Sequence, residues 1–400
     1  MYRDGVIFTG STYDRIEPGP LGVRRHVKSR AFDGYTLFSP AFGYMEYLID
    51  MNGLVVHRWP VEHSQLAELL PNGNLLYDNY GYGLKEIRPD GTVVWSWEGP
   101  YHHDFQRLPD GDTILLIGRE TPVIDGFYSP GLEPKSMWTD FVIRINSSGD
   151  VIWEFSFAEH VEEIRRLSGL PSPVRYVKRD GAGREEEWAP SDWAHTNTIE
   201  VLPDTPLGRE DSRFRRGNLL FSFRALDIIG VIDPRREEIV WAWGLGILDG
   251  QHQPTMLEDG HILVFDNGTY RNWSRVIEMD PTTGEIVWSY EGGSKFFSPF
   301  RSGVQRLPNG NTLVCESDAG RIFEVTREGE VVWDYWSPFM GQGPENQGRH
   351  IYRATRYTEE EVCPLLQSRT ERIVGVADAK GEALTTFTDA LKYYQRSLDP

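Results

Sequence analysis

Short runs of alternating hydrophobic and polar residues, separated by turns, recur along the chain. The clearest copy spans 251–268, where a strand-like run is followed by a turn at 257–260 and a second apolar run that ends at Asp266 and Asn267. Similar copies begin near positions 66, 103, 195 and 302. Alternation with a period of two residues, bounded by Gly, Pro, Asn and Asp, predicts β-strands joined in hairpins.

Each copy continues with a third strand and a fourth strand that ends in tryptophan. These tryptophans are Trp95, Trp153, Trp241, Trp288 and Trp333. Four strands in a unit of roughly 45 residues predict one blade of a β-propeller. We interpret the tryptophans as structural because they share one position of the repeat. The Asn-Gly turns are structural too, since they supply the positive φ that a tight turn requires.

Five full copies and one partial copy predict six blades. Residues 35–59 form three strands without a first strand, and the β-rich residues 350–357 are placed to supply it. The chain is therefore predicted to be an all-β, six-bladed β-propeller over 35–357, closed by a C-terminal strand. Residues 1–34 are predicted to be irregular, and residues 358–400 to be a helical tail that packs on the propeller.

Composition narrows the classes of partner. The 400 residues include 60 acidic and 41 basic side chains, and the net charge of −19 disfavours nucleic acid and anionic membranes as partners. No apolar run approaches the roughly 18 residues of a membrane helix, and the N-terminus does not resemble a signal peptide. With only Cys315 and Cys363, a disulfide framework is not expected. These features predict a cytoplasmic protein.

Three histidines stand at the start of first strands in consecutive blades: His103, His195 and His252. The first strand of a propeller blade lines the central channel, so the three rings are predicted to point toward one axis. Counting six places along three second strands, from Asn218, His261 and Asn311, leads to a second layer at Arg224, Asn267 and Ser317. One such histidine would more often be structural, but three at matching positions favour a functional pocket.

Two further histidines are considered beside this pocket. Strand alternation predicts that His102 faces away from His103, so that one of the pair packs, while His350 precedes the closing strand and can reach the pocket. The chain carries no phosphate-binding loop, dinucleotide fingerprint or Cys/His metal motif, so no cofactor is expected. The channel histidines would hold a metal only if their rings converged within about 2.1 Å of one point.

Several segments resemble the bacterial arylsulfate sulfotransferase family. They are 34–38, 47–59, His103-Asp104-Phe105, Asp192-Trp193-Ala194-His195-Thr196-Asn197 and 305–313, within a likeness that covers most of 30–357. The resemblance implies a six-bladed propeller that moves a sulfuryl group from an aryl sulfate to a phenol without a nucleotide sulfate donor. It also implies a transiently sulfated histidine.

The resemblance assigns roles to particular residues. His252 is the best match for the nucleophile, and His103 and His195 match the family's other two channel histidines, with either as acid and base. Arg224 matches the sulfate-binding arginine. Asn197, Asn267, His102 and His350 are expected to bind substrate.

The implied partner is a small anionic aryl molecule. Family members are exported, disulfide-bonded dimers with an extra N-terminal domain, whereas this sequence shows none of these features. A monomer or homodimer is therefore expected.

Two other functions fit the same residues. A polysaccharide lyase acting on uronates would use a histidine with a tyrosine acid and an arginine that neutralises the carboxylate. The tyrosines considered for that acid are Tyr80, Tyr82, Tyr101, Tyr128 and Tyr270. A propeller that binds a partner without catalysis is the third possibility.

Overall fold

A computed structural model of the protein describes residues 2–3, 6–9, 21–179, 184–341, 348–367, 376–377 and 383–384. The chain divides into two compact units. Unit 1 comprises Met1–Arg15 and Glu98–Val304, and unit 2 comprises Ile16–Trp97 and Gln305–Pro400. The fold is a six-bladed β-propeller, as predicted, with blades 3, 4 and 5 in unit 1 and blades 1, 2 and 6 in unit 2.

The strands are numbered in chain order. The N-terminal strands are β1 (Tyr2–Arg3), β2 (Val6–Thr9) and β3 (Gly22–His26). Blade 1 holds β4 (Tyr35–Pro40), β5 (Gly43–Ile49) and β6 (Val55–Ser64). Blade 2 holds β7 (Ala67–Leu69), β8 (Leu75–Asn79), β9 (Gly83–Ile87) and β10 (Val93–Glu98). Blade 3 holds β11 (Tyr101–Arg107), β12 (Thr113–Thr121), β13 (Met137–Ile145) and β14 (Val151–Ser156).

The second half of the chain continues the series. An inserted pair is β15 (Tyr176–Arg179) and β16 (Glu185–Trp188). Blade 4 holds β17 (Thr196–Val201), β18 (Leu219–Phe223), β19 (Ile228–Asp233) and β20 (Glu238–Trp243). Blade 5 holds β21 (His252–Met256), β22 (Ile262–Asp266), β23 (Arg275–Met279) and β24 (Ile286–Glu291). Blade 6 holds β25 (Gly303–Arg306), β26 (Thr312–Glu316), β27 (Arg321–Val325) and β28 (Val331–Trp336). The last strands are β29 (Ile351–Tyr357), β30 (Val376–Ala377) and β31 (Ala383–Leu384).

Helices are few and short in the described residues. The α-helices are α1 (Val161–Ser168), α2 (Pro206–Glu210) and α3 (Glu359–Gln367). The 3-10 turns are Phe157–His160, Ser212–Phe214, Arg224–Leu226 and Gly293–Lys295. No helix in this part of the chain has the length and apolar character needed to span a membrane.

The closing strand predicted from the sequence is confirmed. Strand β29 pairs antiparallel with β4, so the order of blade 1 is β29-β4-β5-β6. The C-terminal strand thus occupies the first position of the blade, which residues 35–59 leave empty. Some middle strands, such as β18 and β22, are buried along their whole length, because neighbouring elements cover both faces of the sheet.

The secondary structure at both ends of the chain differs from the prediction. Residues 1–34 are not irregular throughout, because β3 pairs antiparallel with β28 as a fifth strand of blade 6 and covers the backbone groups of its outer edge. The helical tail is confirmed only for α3, whose Val362 and Leu365 pack among the core residues of blades 1 and 2. Strand β31 pairs with β30 in the tail for which a helix was predicted. The other residues of that predicted helix, Phe387, Leu391 and Tyr394, lie outside the described residues.

The repeated tryptophans connect neighbouring blades where their rings are buried. Trp241 of blade 4 donates from its indole nitrogen to the carbonyl of Pro281 in blade 5 at 3.1 Å. Trp333 of blade 6 donates in the same way to Met51 of blade 1 at 2.9 Å. At Trp241 and Trp333 the predicted structural role therefore has a specific form, a hydrogen bond to a turn of the next blade.

Blade 1 contains a buried carboxyl group whose ionisation opposes folding. Glu46 is 1% exposed and accepts a hydrogen bond from Ser39 at 2.5 Å. Burial raises the pKa of Glu46 to about 8, and burial also raises the pKa of Asp78 to about 6. The folded chain keeps a proton on Glu46 that the unfolded chain releases near the ordinary glutamate pKa. The contribution of this proton to the free energy of unfolding is therefore fully present below about pH 4.5. It is then lost as the pH rises through 8.

We expect Glu46→Gln to remove the pH dependence of the free energy of unfolding between about pH 6 and 8. In that range the wild-type free energy of unfolding falls by about 1 kcal/mol per pH unit, and the neutral amide has no proton to release. Urea unfolding at several pH values measures the slope. Glu62→Gln, at an exposed glutamate of the same blade, is the control and keeps the wild-type slope. A Glu46→Gln protein with the wild-type slope would show that another group titrates.

Candidate functional site

The predicted histidines of blades 3, 4 and 5 come together within unit 1. The ring centroids of His103 and His195 are 4.7 Å apart, and those of His102 and His103 are 5.0 Å apart. The charges of His252 and Arg224 also act on His103. We call these five residues the histidine cluster.

A bulge at the start of each first strand shapes the cluster. The strand register shifts between Tyr101 and Phe105, between Thr196 and Thr198, and between His252 and Thr255. Beside or within these bulges His103, His195 and Gln253 have positive φ angles of 61°, 50° and 46°. Non-glycine residues rarely adopt this conformation, and where they do it often marks a functional site.

The bulges overturn two expectations about side-chain direction. His102 does not face away from His103, because their Nδ1 atoms lie 2.9 Å apart. The three channel histidines also differ in their pairing with the second strands. His252 is paired with Phe265, whereas His103 lies in the gap between the paired residues Tyr101 and Phe105, and His195 precedes the first paired residue, Thr196. Strict alternation fails because an extra residue in a bulge rotates those before it.

His102 and His103 have opposite electrostatic surroundings. His102 Nε2 lies 3.2 Å from Asp140 Oδ1. Burial disfavours charge on His102, but Asp140 and then Asp192 outweigh it and raise its pKa. Burial, together with the positive charges of its neighbours, holds the pKa of His103 well below the ordinary value. A proton that either ring could bind is therefore held by His102 in preference to His103.

His195 forms a pair with Asp192. Its Nδ1 lies 2.5 Å from Asp192 Oδ2, and its backbone N–H donates to Asp192 Oδ1 at 3.1 Å. Burial opposes ionisation of Asp192, but the charges of His195, His102 and Arg224 outweigh it and lower its pKa. The carboxylate therefore fixes the orientation of the His195 ring, as in a His–Asp catalytic pair.

The long insertions hold this pair in place. Trp193, between Asp192 and His195, is fully buried and packs edge-on against Phe127. Tyr176 of β15 donates its hydroxyl to the carbonyl of Trp193 at 2.6 Å. The inserted sheet of β1, β2, β15 and β16 thus fixes the loop that carries the pair.

His252 is held in one tautomer. Its Nδ1 lies 2.7 Å from Asn267 Oδ1 and 3.1 Å from the carbonyl of Gly250. The Asn267 amide nitrogen donates to the carbonyls of Ser298 and Arg301, which sets Oδ1 toward the histidine. Because both neighbours of Nδ1 accept hydrogen bonds, Nδ1 carries the proton and Nε2 of the neutral ring keeps its lone pair.

The two predicted asparagines are buried and support the cluster. Asn197 donates to the carbonyl of Gln251 at 2.8 Å, which ties blade 4 to the residue before His252. Gln251 in turn donates to Ser222 and to the carbonyls of Phe223 and Ile228. The structure gives both Asn197 and Asn267 these scaffolding contacts, and the substrate contacts predicted for them remain predictions.

Arg224 lies beside His195 with a buried guanidinium. It directly follows β18, and its backbone N–H donates to the carbonyl of His195 at 3.1 Å. The guanidinium carbon lies 4.9 Å from the ring centroid of Phe300. Its Nε is buried and has no hydrogen-bond partner among the described residues. Burial lowers the pKa of Arg224, although the group stays charged, so a bound anion would supply the missing partner.

His350, the remaining predicted site residue, belongs to unit 2. It is buried, and its Nδ1 lies 3.4 Å from Asp318 Oδ1. The substrate contact predicted for His350 therefore remains a prediction.

Sequence reasoning missed the two carboxylates that contact the histidine cluster, Asp192 and Asp140. Asp192 stands three residues before His195 in the most distinctive segment of the resemblance, and that spacing was a usable signal. Asp140 lies on β13, which follows a long insertion and is far from His102 along the chain. Nothing in the sequence around Asp140 indicates the contact.

A separate group on blade 5 has the composition of a metal site. Each of these residues, Asp259, His261 and Glu278, offers one ligand atom, and the three atoms lie within 4.8 Å of one another. The repeat offers a simpler explanation, because the Asn74 and Asn311 amides donate to Glu86 and Glu324 on the third strands of blades 2 and 6. His261 makes the corresponding contact to Glu278 at 3.0 Å. We interpret this group as the blade 5 version of that structural contact.

The comparisons with known proteins point to one family. The sequence profile described as arylsulfotransferase (ASST) matches residues 67–338, more than half of the chain. No curated protein matched the sequence.

Comparison with solved structures finds likenesses at low sequence identity. A protein of unknown function from Bacteroides caccae is 16% identical with a TM-score of 0.50, over 82% of this chain and 100% of that one. A catalytically inactive virginiamycin B lyase from Staphylococcus aureus is 12% identical with a TM-score of 0.43, over 79% and 88%. At these identities the first likeness concerns the fold alone, and the second carries no argument about function.

Proposed function

The chain belongs to the arylsulfotransferase family, and we propose that it moves a sulfuryl group from an aryl sulfate to a phenol through a sulfated His252. The observation that carries the proposal is the pairing of two features in one cluster. His252 directs Nδ1 at Asn267 Oδ1, so the lone pair of the neutral ring lies on Nε2, and the buried Nε of Arg224 has no hydrogen-bond partner among the described residues. A nucleophile and an anion-binding group are what sulfuryl transfer requires.

In the first step His252 Nε2 attacks the sulfur of the aryl sulfate. The new N–S bond forms as the S–O bond to the aryl group breaks, and the electron pair leaves on the phenolate oxygen. His195, protonated and oriented by Asp192, gives its Nε2 proton to that oxygen. Arg224 neutralises the sulfuryl oxygens throughout.

In the second step an acceptor phenol reverses the chemistry. His195, now neutral, takes the phenol proton, and the phenolate oxygen attacks sulfur and displaces His252. The proton on His252 Nδ1 stays in place, because Asn267 Oδ1 is a neutral acceptor. The sulfated ring therefore remains cationic and is a good leaving group. Donor, acceptor and enzyme are balanced, and the route requires no resident cofactor.

The partner we propose is a small anionic aryl molecule. Neither the polysaccharide lyase nor the binding scaffold gains a supporting observation from the described residues.

Intact-protein mass spectrometry tests the covalent route. Brief mixing with 4-nitrophenyl sulfate should add about 80 Da to the protein, and a phenol should remove the adduct. Release of nitrophenol without an adduct under any mixing time would argue against a covalent intermediate. Absence of both adduct and nitrophenol would contradict the proposed function for this donor.

We expect Asp192→Asn to slow transfer according to the leaving group. The amide would donate to His195 Nδ1 and turn the ring into the wrong tautomer, so proton delivery fails. With phenyl sulfate, whose phenolate needs a proton, the rate should fall by about 100-fold. With 4-nitrophenyl sulfate, whose phenolate leaves readily, the fall should be less than about 10-fold.

Initial rates with the two donors measure this difference. Asp204→Asn is the matched control, because Asp204 lies in an exposed ion pair with Arg209 outside the cluster. Equal losses with both donors would show that Asp192 does not act through a proton to the leaving group.

A further inference from the structure

Two residues of the histidine cluster and a neighbouring carboxylate form a series of contacting groups that the two-step route leaves unused. Asp140, His102 and His103 follow one another through contacts of 3.2 Å, from Asp140 Oδ1 to His102 Nε2, and 2.9 Å, between the two Nδ1 atoms. Asp140 is 1% exposed, and its other oxygen accepts the backbone N–H of Thr196 at 2.6 Å. The series is therefore buried and anchored at its acidic end.

Two proton arrangements satisfy the contact between the histidines. Either His102 donates from Nδ1 to His103, or His103 donates from Nδ1 to His102. In the first arrangement His102 carries both ring protons, and neutral His103 keeps its proton on Nε2. In the second arrangement both rings are neutral and the lone pair of His103 lies on Nε2.

The charges around the two rings select the first arrangement. The groups that act on His102 include the carboxylates of Asp140 and Asp192, which favour the extra proton there. The groups that act on His103 are His195, His102, His252 and Arg224, all of which disfavour positive charge. His102 is accordingly the protonated member, and its Nδ1–H points at His103.

We propose that Asp140 and His102 are positioning residues that hold His103 as its Nε2–H tautomer, so that His103 donates a fixed hydrogen bond to a sulfuryl oxygen. This inference rests on the proposed function for the identity of the anion. It gives the three channel histidines different roles. His252 attacks sulfur, His195 moves the proton, and His103 only donates.

The proposal also explains why one histidine would be sulfated when three stand together. An imidazole nitrogen that carries a proton has no lone pair with which to attack sulfur. With His103 held as the Nε2–H form, its lone pair lies on Nδ1 and accepts the hydrogen bond from His102. His252, held in the opposite tautomer by Asn267, is left as the nucleophile.

Two substitutions of His102 separate the hydrogen bond from general packing. The amide nitrogen of asparagine falls near the position of the histidine Nδ1, and that of glutamine falls near Nε2. His102→Asn therefore keeps a donor toward His103, whereas His102→Gln keeps a donor toward Asp140 and loses the other. We expect His102→Gln to lower kcat with 4-nitrophenyl sulfate by about 100-fold, as for a lost oxyanion donor. His102→Asn should recover at least about ten-fold of that loss.

Nitrogen NMR of histidine-labelled free protein tests the tautomer directly, because protonated and unprotonated ring nitrogens resonate far apart. Wild-type and His102→Asn proteins should show His103 protonated on Nε2, and His102→Gln should not. A wild-type His103 protonated on Nδ1, or equal activity of the two variants, would overturn the proposal. Failure of the proposed function has a different signature, a wild type that forms no sulfuryl adduct whatever the His103 tautomer.

Discussion

Replacing His252 with alanine should abolish sulfuryl transfer, with a loss of at least about 10⁴-fold in kcat and no adduct of about 80 Da. In the proposed route the attack by His252 is the step that breaks the bond between the sulfuryl group and the donor, so no neighbouring group can replace it by a small movement. His103 stands close by, but in the proposed tautomer it has no lone pair facing the substrate. His252 also hydrogen-bonds to Asn267, so the substitution can lower the stability of the fold as well as the activity. The stability of the variant is therefore measured separately.

His261→Ala is the matched control, because this histidine lies on the same blade and contacts Glu278 outside the cluster. It should retain wild-type transfer and form the adduct. Thermal unfolding of both variants shows whether the alanine at 252 leaves the fold intact. A folded His252→Ala protein that still forms the adduct would show that another residue is the nucleophile.

Replacing Arg224 with glutamine should lower kcat/KM for 4-nitrophenyl sulfate by about 100- to 1000-fold. The guanidinium lies beside His195, and its buried Nε has no partner among the described residues, so its loss would remove the charge that we propose for holding the sulfuryl oxygens. The kcat/KM of Arg224→Lys should lie between those of the wild type and Arg224→Gln, because a lysine keeps a point charge but not the planar array of donors. Initial rates over a range of donor concentrations give kcat and KM separately.

Arg209→Gln is the control for this substitution, since Arg209 forms an exposed ion pair with Asp204 in the same blade region. Inorganic sulfate should inhibit the wild type and the control, and should inhibit Arg224→Gln much less. Equal inhibition of all three proteins would place the anion elsewhere.

Much of the architecture could be predicted because its causes are local. Period-two alternation and Gly turns define each hairpin, and the turn glycines indeed have positive φ, as at Gly73 (83°) and Gly310 (86°). The missing first strand of blade 1 was visible as a gap in the repeat, and its replacement by β29 follows from the unpaired edge that such a gap leaves. The grouping of His103, His195 and Arg224 followed from their places in the same repeat.

The chemistry of the site depended on contacts that no local pattern contains. The bulges with left-handed residues at His103 and His195 decide which rings meet, and they break the alternation on which side-chain direction was predicted. The carboxylate that selects the protonated ring of the His102–His103 pair, Asp140, arrives from another strand.

The sequence by itself therefore determined the blades and their closure, and it indicated the histidines and the arginine that the structure brings together, since each is set by spacing within a repeat. The tertiary structure alone decided the tautomer of His252, through Asn267, and the partners of the other rings. The physical reason is that proton positions depend on distances of about 3 Å between groups far apart in the chain, which only the folded backbone sets.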